Sequence, residues 1–113
     1  MVKVRHDGGG GITDISKKHF SRTIRGVVPI EVNIHRQGIF TFELYGIEVK
    51  TSDCVVILES GFNCGYGGTG PHGSAWALEN LGMAKEVSRC VFEQMDLRVD
   101  FRDMCIVVHK GGG

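Results

Sequence analysis

The chain has 113 residues, of which 42% are apolar and 23% are charged, and its formal net charge is zero. These values are typical of one folded domain, exclude a disordered chain, and supply no global charge that would favour nucleic acid. The charge is uneven, because residues 1–40 hold seven Lys or Arg against three Asp or Glu, whereas residues 41–113 hold six against ten. This asymmetry suits self-association or one anion-binding face, and equally ordinary surface variation.

The first part of the chain contains a predicted strand and then a basic stretch in which the apolar residues are not regularly spaced. Residues 1–5 predict a short edge strand, and the four glycines at 8–11 predict a flexible loop. Asp14 is a candidate N-cap for a short helix over residues 15–20. The remainder of the stretch 12–26 matches neither the helical nor the strand period.

Alternation of apolar and polar residues then predicts strands. The segments 30–34 and 40–44 alternate and are separated by a short Gly-containing turn, which predicts a β-hairpin. The alternation resumes at 47–49, beyond a predicted bend. The apolar run 54–58 does not alternate, so we expect a central strand that is covered on both faces.

A helical region is predicted from about 71 to 96, followed by two further strands. Gly82 is expected in the left-handed position that ends a helix, or else as a kink within one helix. Residues 97–101 alternate, and 105–108 resemble a buried strand. The whole pattern predicts an α+β fold in a single domain. It consists of a mostly antiparallel sheet of five to six strands with one helical segment packed on a face, and it ends in a flexible tail at 111–113.

The most informative segment is the glycine-rich stretch 61–73, in which six of thirteen residues are glycine. It stands between an apolar strand and a helix start, the arrangement that presents backbone N–H groups to an anion. It is also longer than the roughly 2–6 residues of an ordinary strand-to-helix connection. Both observations favour ligand binding, while a purely architectural loop or a protein interface is the alternative.

Two familiar phosphate-binding loops do not fit this stretch. Gly65, Gly67 and Gly70 match G-x-G-x-x-G, but the acidic residue expected about 20 positions later, at the end of a second strand, falls inside the predicted helix. Gly65 and Gly70 also have the Walker spacing, yet Pro71 and His72 stand where Lys and Ser or Thr are required. The stretch therefore predicts a generic anion-binding loop.

Side chains in the glycine-rich stretch add binding chemistry. Tyr66 is a candidate for stacking on a base, or for folding back over the sheet edge. Thr69 is a candidate helix cap or hydroxyl donor, and His72 is a candidate hydrogen-bond donor to a phosphate, a general acid/base or a plain surface residue. The predicted ligand-binding residues are Asn63, Gly65, Tyr66, Gly67, Gly68, Thr69, Gly70, His72, Arg22 and Arg25.

The two arginines come from a basic segment, 17–25, in which five of nine residues are Lys, Arg or His. This composition is typical of phosphate contacts and also of a solvated loop. We expect Arg22 and Arg25 to join the site if the segment meets the glycine-rich stretch. A Cys64–His72 pair is a separate catalytic hypothesis, since a helix N-terminus favours the thiolate. Because no group that would orient the imidazole is identifiable, we assign no catalytic residue.

The other cysteines predict packing and cellular context. Cys54, Cys90 and Cys105 stand in apolar runs and are expected to be buried. Their spacing fits no zinc template, so we predict no metal and no cofactor. No signal peptide is visible and no apolar stretch approaches the roughly 20 residues of a membrane helix, which together predict a cytoplasmic chain without a membrane partner.

These patterns predict a non-enzymatic binder of a small phosphorylated ligand, with a nucleotide as the first candidate and nucleic acid disfavoured. Such a protein would act as a sensor or by sequestering its ligand. Two alternatives remain. One is a small hydrolase or transferase that acts on a nucleotide or ester through His72 and Cys64. The other is a homo-oligomeric interaction module.

Overall fold

The structure, a computed structural model, describes residues 3–5, 12–35, 46–94 and 96–108. Three sequence predictions lie outside these residues: the loop at 8–11, the strand at 40–44 and the tail at 111–113. The prediction of a hairpin between 30–34 and 40–44 is therefore untested, and the described antiparallel partner of the first segment is the segment 47–51.

The described strands form one six-stranded sheet in the order β1-β4-β3-β2-β5-β6. The strands are β1 Lys3–Arg5, β2 Pro29–His35, β3 Ile47–Thr51, β4 Val55–Glu59, β5 Asp96–Asp100 and β6 Cys105–Val108. β1 runs parallel to β4, and the other four neighbouring pairs are antiparallel. The predicted α+β class and the mostly antiparallel sheet are confirmed.

The prediction of one helical segment is wrong. The described helices are α1 Thr13–Thr23, α2 Thr69–Asn80 and α3 Lys85–Ser88, with a 3₁₀ helix at Arg89–Phe92. Gly82, at φ +104°, ends α2 as predicted. The amides of Gly82 and Met83 donate to the carbonyls of Glu79 and Leu78, respectively. These two hydrogen bonds form a Schellman motif, so the chain leaves the helix instead of kinking within it.

The sequence predicted only residues 15–20 of α1, because the core-facing residues of this helix are few and partly polar. Its buried side chains are Thr13, Ser16 and Phe20, spaced three and four residues apart. That spacing is helical, but two of the three residues are hydroxyl-bearing and give no hydrophobic signal. Ile12 occupies the N-cap position without a side-chain hydrogen bond, and Asp14 lies in the first turn, so the predicted Asp14 cap is wrong.

The core lies between the helices and one face of the sheet. Strand residues that alternate on this face are fully buried, as in β2 (Val32, Ile34) and β3 (Ile47, Val49). Phe20 of α1 packs edge-on against Phe62, with ring centroids 5.4 Å apart. These aromatic contacts seat α1 and the chain after β4 on the same apolar layer.

The opposite face of the sheet carries a charged network on its central strands. Lys50 Nζ lies 3.2 Å from Glu31 and 3.8 Å from Glu48, and Arg98 Nε lies 3.6 Å from Glu31. Asn33 donates to both carboxylates at 3.1 Å. Because cross-strand neighbours of opposite charge face each other here, this face is polar where the other is apolar.

Burial of the cysteines differs from the prediction. Cys54 and Cys105 are exposed and Cys90 is half-buried, whereas Cys64 is fully buried. Cys54 has φ +62° in the turn before β4, so it precedes the strand that the apolar run suggested it would begin. The strand itself buries Val55 and Ile57 and leaves Val56 half-covered, so its two faces are not equally buried.

Candidate ligand-binding loop

The glycine-rich stretch connects β4 to α2 at one edge of the sheet. β4 ends at Glu59 and α2 begins at Thr69. Because β1 is parallel to β4, both strands end at this edge, and the helix that follows each strand begins there. In open parallel α/β sheets, crevices at the carboxyl ends of the strands, beside helix N-termini, are common ligand sites, and the parallel pair β1–β4 has this arrangement locally.

The loop is fixed to the core by hydrogen bonds at several points. The Asn63 amide donates to the Gly70 carbonyl at 3.2 Å, and the Gly65 amide donates to the Val91 carbonyl at 2.7 Å. The Ser74 hydroxyl donates to the Asn63 carbonyl at 2.6 Å. These bonds join the two ends of the loop to each other and its middle to the 3₁₀ helix, so the loop has a defined shape before any ligand arrives.

α1 holds the start of the loop. The Thr13 hydroxyl donates to the Gly61 carbonyl at 2.6 Å. The Cβ position of Gly61 lies 3.0 Å from the Thr13 backbone nitrogen and 2.9 Å from the Ser16 hydroxyl. A side chain at Gly61 would therefore displace α1, which gives this glycine a packing role.

Tyr66 covers two other glycines. Its ring occupies the space where a Cβ on Gly68 would lie, and its hydroxyl lies 3.0 Å from the Cβ position of Gly70. Asn63 also approaches Gly70, with its Cβ at 2.7 Å. Gly68 and Gly70 are thus needed to seat the loop's own side chains. This packing requirement is separate from the predicted close approach of a ligand. The Tyr66 ring folds back over the helix start and remains 39% exposed.

The outer surface of the loop leads into the N-terminus of α2, whose first backbone amides have no intrahelical carbonyl partners. Gly68 is the N-cap of α2, without a side-chain cap, and the neighbouring Gly67 has open space around its Cβ position. Thr69 is the first helical residue and is exposed, so the prediction that its side chain caps α2 is wrong. His72 is also exposed, and it lies three residues further along the same helix face.

The electrostatic environment of this surface favours an anion. The first turn of α2 contains no acidic residue, and residues 60–78 include no Asp or Glu. A helix N-terminus carries roughly half a positive charge, which nothing in this segment neutralises. The arrangement can therefore bind a negatively charged group without a Lys or Arg of its own.

The predicted Cys64–His72 pair is separated by burial. Cys64 is fully buried, and its thiol donates to the Ile34 carbonyl with the sulfur at 3.9 Å. His72 lies on the surface and packs edge-on against Phe92, with ring centroids 4.7 Å apart. Cys64 is thus a core residue, and a thiol in this position is inaccessible to a substrate bound at the loop surface.

The two predicted arginines lie at the C-terminal end of α1, away from the contacts that Thr13 and Ser16 make with Gly61. Thr13 and Ser16 contact the loop, while Arg22 is near the last residue of the helix and Arg25 follows it. Nine residues of helix separate Thr13 from Arg22, roughly 13 Å along the axis. Arg22 is also rotated by about 200° from Phe20, which faces the core. The basic segment therefore meets the glycine-rich stretch through the packing of Phe20 on Phe62, and Arg22 points to solvent.

A carboxylate–histidine pair connects α1 to β4 and was not predicted from the sequence. His19 Nδ1 lies 2.6 Å from Glu59 Oε2, and the Glu59 side chain is 0% exposed while that of His19 is 31% exposed. In β4, Glu59 has the same parity as the buried Val55 and Ile57, so its carboxylate lies on the core face. The continuous apolar run 54–58 does not alternate, so the sequence did not indicate which face Glu59 occupies.

Comparison with protein-family models, with curated protein sequences and with solved structures gave no significant match to this chain. Among the described residues, no helix has the length and apolar character needed to cross a membrane. Within the same residues, no group of three or more His, Cys, Asp or Glu side chains is arranged to hold a metal ion. The architecture and the loop geometry are therefore what any functional conclusion must rest on.

Proposed function

We propose that this protein binds a small phosphorylated ligand, with a nucleotide as the first candidate, at the surface formed by residues 66–72. It would act as a sensor or by sequestering the ligand. The observation that carries the proposal is the start of α2, where exposed Gly67 and Thr69 flank an N-cap glycine in a loop that is fixed to the core. A phosphate group accepts hydrogen bonds from such backbone amides and is favoured by the helix dipole.

Pre-organisation supports this function over a passive connection. The hydrogen bonds of Asn63, Gly65 and Ser74 fix the loop, so binding would not have to order it. Tyr66 supplies a partly exposed aromatic ring next to the helix start, where a base could stack. His72 supplies an imidazole on the same exposed face as Thr69. A phosphate and a planar ring on one ligand would use all of these groups.

The same geometry weighs against the hydrolase alternative through Cys64. The thiol is buried in the core, and the His72 ring packs against Phe92. Nucleophilic catalysis requires a reactive atom within reach of the substrate and a base beside it. We therefore expect ligands to bind at the loop without turnover that depends on Cys64.

A matched pair of substitutions at Gly67 tests the proposal. Because nothing lies within 4 Å of the Gly67 Cβ position, Gly67→Asp and Gly67→Asn both fit the folded protein and differ mainly in charge. Calorimetric titration with inorganic phosphate and with a panel of nucleoside mono-, di- and triphosphates should give binding in the parent and in Gly67→Asn. Gly67→Asp should weaken it by about tenfold or more, since a carboxylate repels the phosphate.

Three results of this titration would count against the proposal. These are the absence of binding to every member of the panel, equal affinities of the two variants, and affinity that does not fall as salt is raised. Light scattering on the same samples gives the oligomeric state and so tests the interaction-module alternative. Chromatography of the titrated mixtures reveals any product.

A further inference from the structure

The pair formed by His19 and Glu59 has the geometry of an oriented nucleophile. The His19 Nδ1 atom lies 2.6 Å from Glu59 Oε2, so this ring nitrogen is engaged by the carboxylate. The second nitrogen, Nε2, is on the opposite side of the ring and therefore points away from Glu59. Because the Glu59 side chain is 0% exposed and that of His19 is 31% exposed, the carboxylate is fixed in the core while the imidazole reaches the surface.

A buried carboxylate in this position has a chemical consequence. When Nδ1–H donates to Glu59, the lone pair of a neutral ring is on Nε2. An electrophile that bonds to Nε2 makes the ring cationic, and the adjacent carboxylate stabilises that charge. The same carboxylate also fixes the ring orientation, as in other histidines that are oriented by an acidic partner.

The outer surface of α1 around His19 suits a phosphoryl group. Arg22 lies three residues after His19 and therefore one turn along the same side of the helix. It is exposed, so its guanidinium can contact phosphoryl oxygens beside Nε2. Ile15, four residues before His19, is 45% exposed and supplies an apolar neighbour on the other side. Arg22 is far from the N-terminus of α2, but it lies beside His19, where its guanidinium can contact a phosphoryl group bound at the imidazole.

We propose that His19 is a phosphoryl-acceptor residue whose Nε2 atom takes a phosphoryl group from a small donor of the phosphoramidate or acyl phosphate class. The Nε2 lone pair forms the N–P bond as the bond from phosphorus to the leaving group breaks, and the leaving group departs with that electron pair. With phosphoramidate the leaving group is ammonia, whose nitrogen already carries the proton it needs. The Nδ1 proton stays between the ring and Glu59. This proposal does not depend on ligand binding at the loop.

The test compares histidines within the same folded chain. The parent protein is treated with phosphoramidate, digested at alkaline pH and analysed by mass spectrometry to give a labelling rate for each histidine. His19 should be labelled about tenfold or more faster than His72, whose ring packs on Phe92 without a carboxylate partner in the described residues. It should also exceed His35, whose Nδ1 lies 2.6 Å from Asp96 but whose partner is 61% exposed.

Two variants separate the effect of the Glu59 charge from that of mere exposure of the ring. Glu59→Gln keeps the size of the side chain but removes its charge, and it should lower the His19 rate to about that of His72. Asp96→Asn should leave the His19 rate unchanged. Equal labelling of His19 and His72 in the parent overturns the proposal whether or not the variants fold. A His19 rate that is unaffected in folded Glu59→Gln overturns the role of the carboxylate.

Discussion

Gly73 of α2 lies so close to Thr13 of α1 that a Cβ atom on Gly73 would be 2.6 Å from the Thr13 Cγ2 atom. The same position is 2.9 Å from a ring carbon of Phe62. The absence of a side chain at Gly73 therefore lets the two helices that begin at this edge of the sheet approach each other. Since Thr13 also holds the Gly61 carbonyl, this contact links both helices to the loop.

Gly73→Ala should destabilise the protein in spite of the higher helix propensity of alanine. The propensity gain is about 1 kcal/mol, whereas overpacking at a close backbone contact costs about 1–3 kcal/mol. Thr13→Ser removes the methyl group but keeps the hydroxyl, so it should recover part of the loss in the double variant. Urea unfolding of the four proteins measures this coupling. Additive effects of the two changes would contradict the contact.

Gly70 and Gly67 should respond differently to the same substitution. Gly70→Ala brings a methyl group to 2.7 Å from the Asn63 Cβ and should cost about 1–3 kcal/mol. Gly67→Ala meets open space and should change stability by about 0.5 kcal/mol or less. Thermal unfolding followed by circular dichroism makes the comparison. Equal losses of stability would show that Tyr66 and Asn63 do not pack against Gly70. Binding studies should use substitutions at Gly67, because a substitution at Gly70 would change both the stability of the fold and the shape of the site.

His19→Ala should be more destabilising than its partial exposure suggests. It leaves the buried Glu59 carboxylate without the imidazole at 2.6 Å, a loss of about 1–3 kcal/mol. The double variant His19→Leu, Glu59→Leu should be more stable than His19→Ala, because apolar replacements avoid a buried charge. Denaturant unfolding at neutral pH provides both values. A double variant that is less stable than the single one would mean that other contacts of Glu59 dominate.

Glu31 should contribute to acid sensitivity. Partial burial raises the pKa of Glu31, but the Asn33 hydrogen bond and the hydrogen bond and charge of Lys50, with the charge of Arg98, outweigh it and lower the pKa below its ordinary value of 4.5. A carboxyl group with a lower pKa in the folded state stabilises the fold fully above the ordinary value. That contribution disappears as the pH falls through the folded-state pKa.

Glu31→Gln should therefore lower the free energy of unfolding by about 0.5–1 kcal/mol at neutral pH and make little difference at low pH. Unfolding by urea between neutral and acidic pH shows whether the two curves converge. Glu86→Gln, at an exposed position of α3, is a control that should leave the pH profile nearly unchanged. Parallel curves for parent and Glu31→Gln would contradict the network.

The reactivities of the cysteine thiols should follow their observed exposure, which is the reverse of the order that the sequence predicted. Cys54 and Cys105 are exposed and should react rapidly with an aromatic disulfide reagent, whereas buried Cys64 should react only when the protein opens. Mass spectrometry of the modified peptides identifies each site. Rapid native-state modification of Cys64 would place it outside the core. Cys64→Ser should still bind phosphate ligands as the parent does.

Local patterns predicted those elements whose signal resides in a few neighbouring residues. Alternation identified β2, β3 and β5, and Gly82 identified the end of α2, because each depends on side-chain parity or one backbone angle. Cys54 was misassigned because its φ of +62° depends on the turn into β4, which an apolar composition does not reveal. α1 was shortened because Thr13 and Ser16, two of its three buried side chains, are polar.

The loop between β4 and α2 was predicted in position, but its internal organisation was not. The glycine content of 61–73 indicated the position of the loop. Only the tertiary contacts show that Gly70 leaves room for the side chain of Asn63 and that Gly73 leaves room for that of Thr13. The His19–Glu59 pair joins residues 40 positions apart, so no local pattern could connect them. The burial of Cys64 and the exposure of His72 likewise depend on how the helices pack on the sheet, which the local sequence does not show.

The order of strands also bears on how the chain folds. β2, β3 and β4 are neighbours in both sequence and space, so they can pair early with short loop closures. β5 pairs with β2 across more than half the chain, and three-residue β1 pairs with the distant β4. Because a long chain segment must be closed to form the β5–β2 and β1–β4 pairs, we expect β1 and β5 to join the sheet late in folding. Substitutions in β1 would then mainly speed unfolding, and the edge where the glycine-rich loop emerges would be among the last parts of the molecule to close.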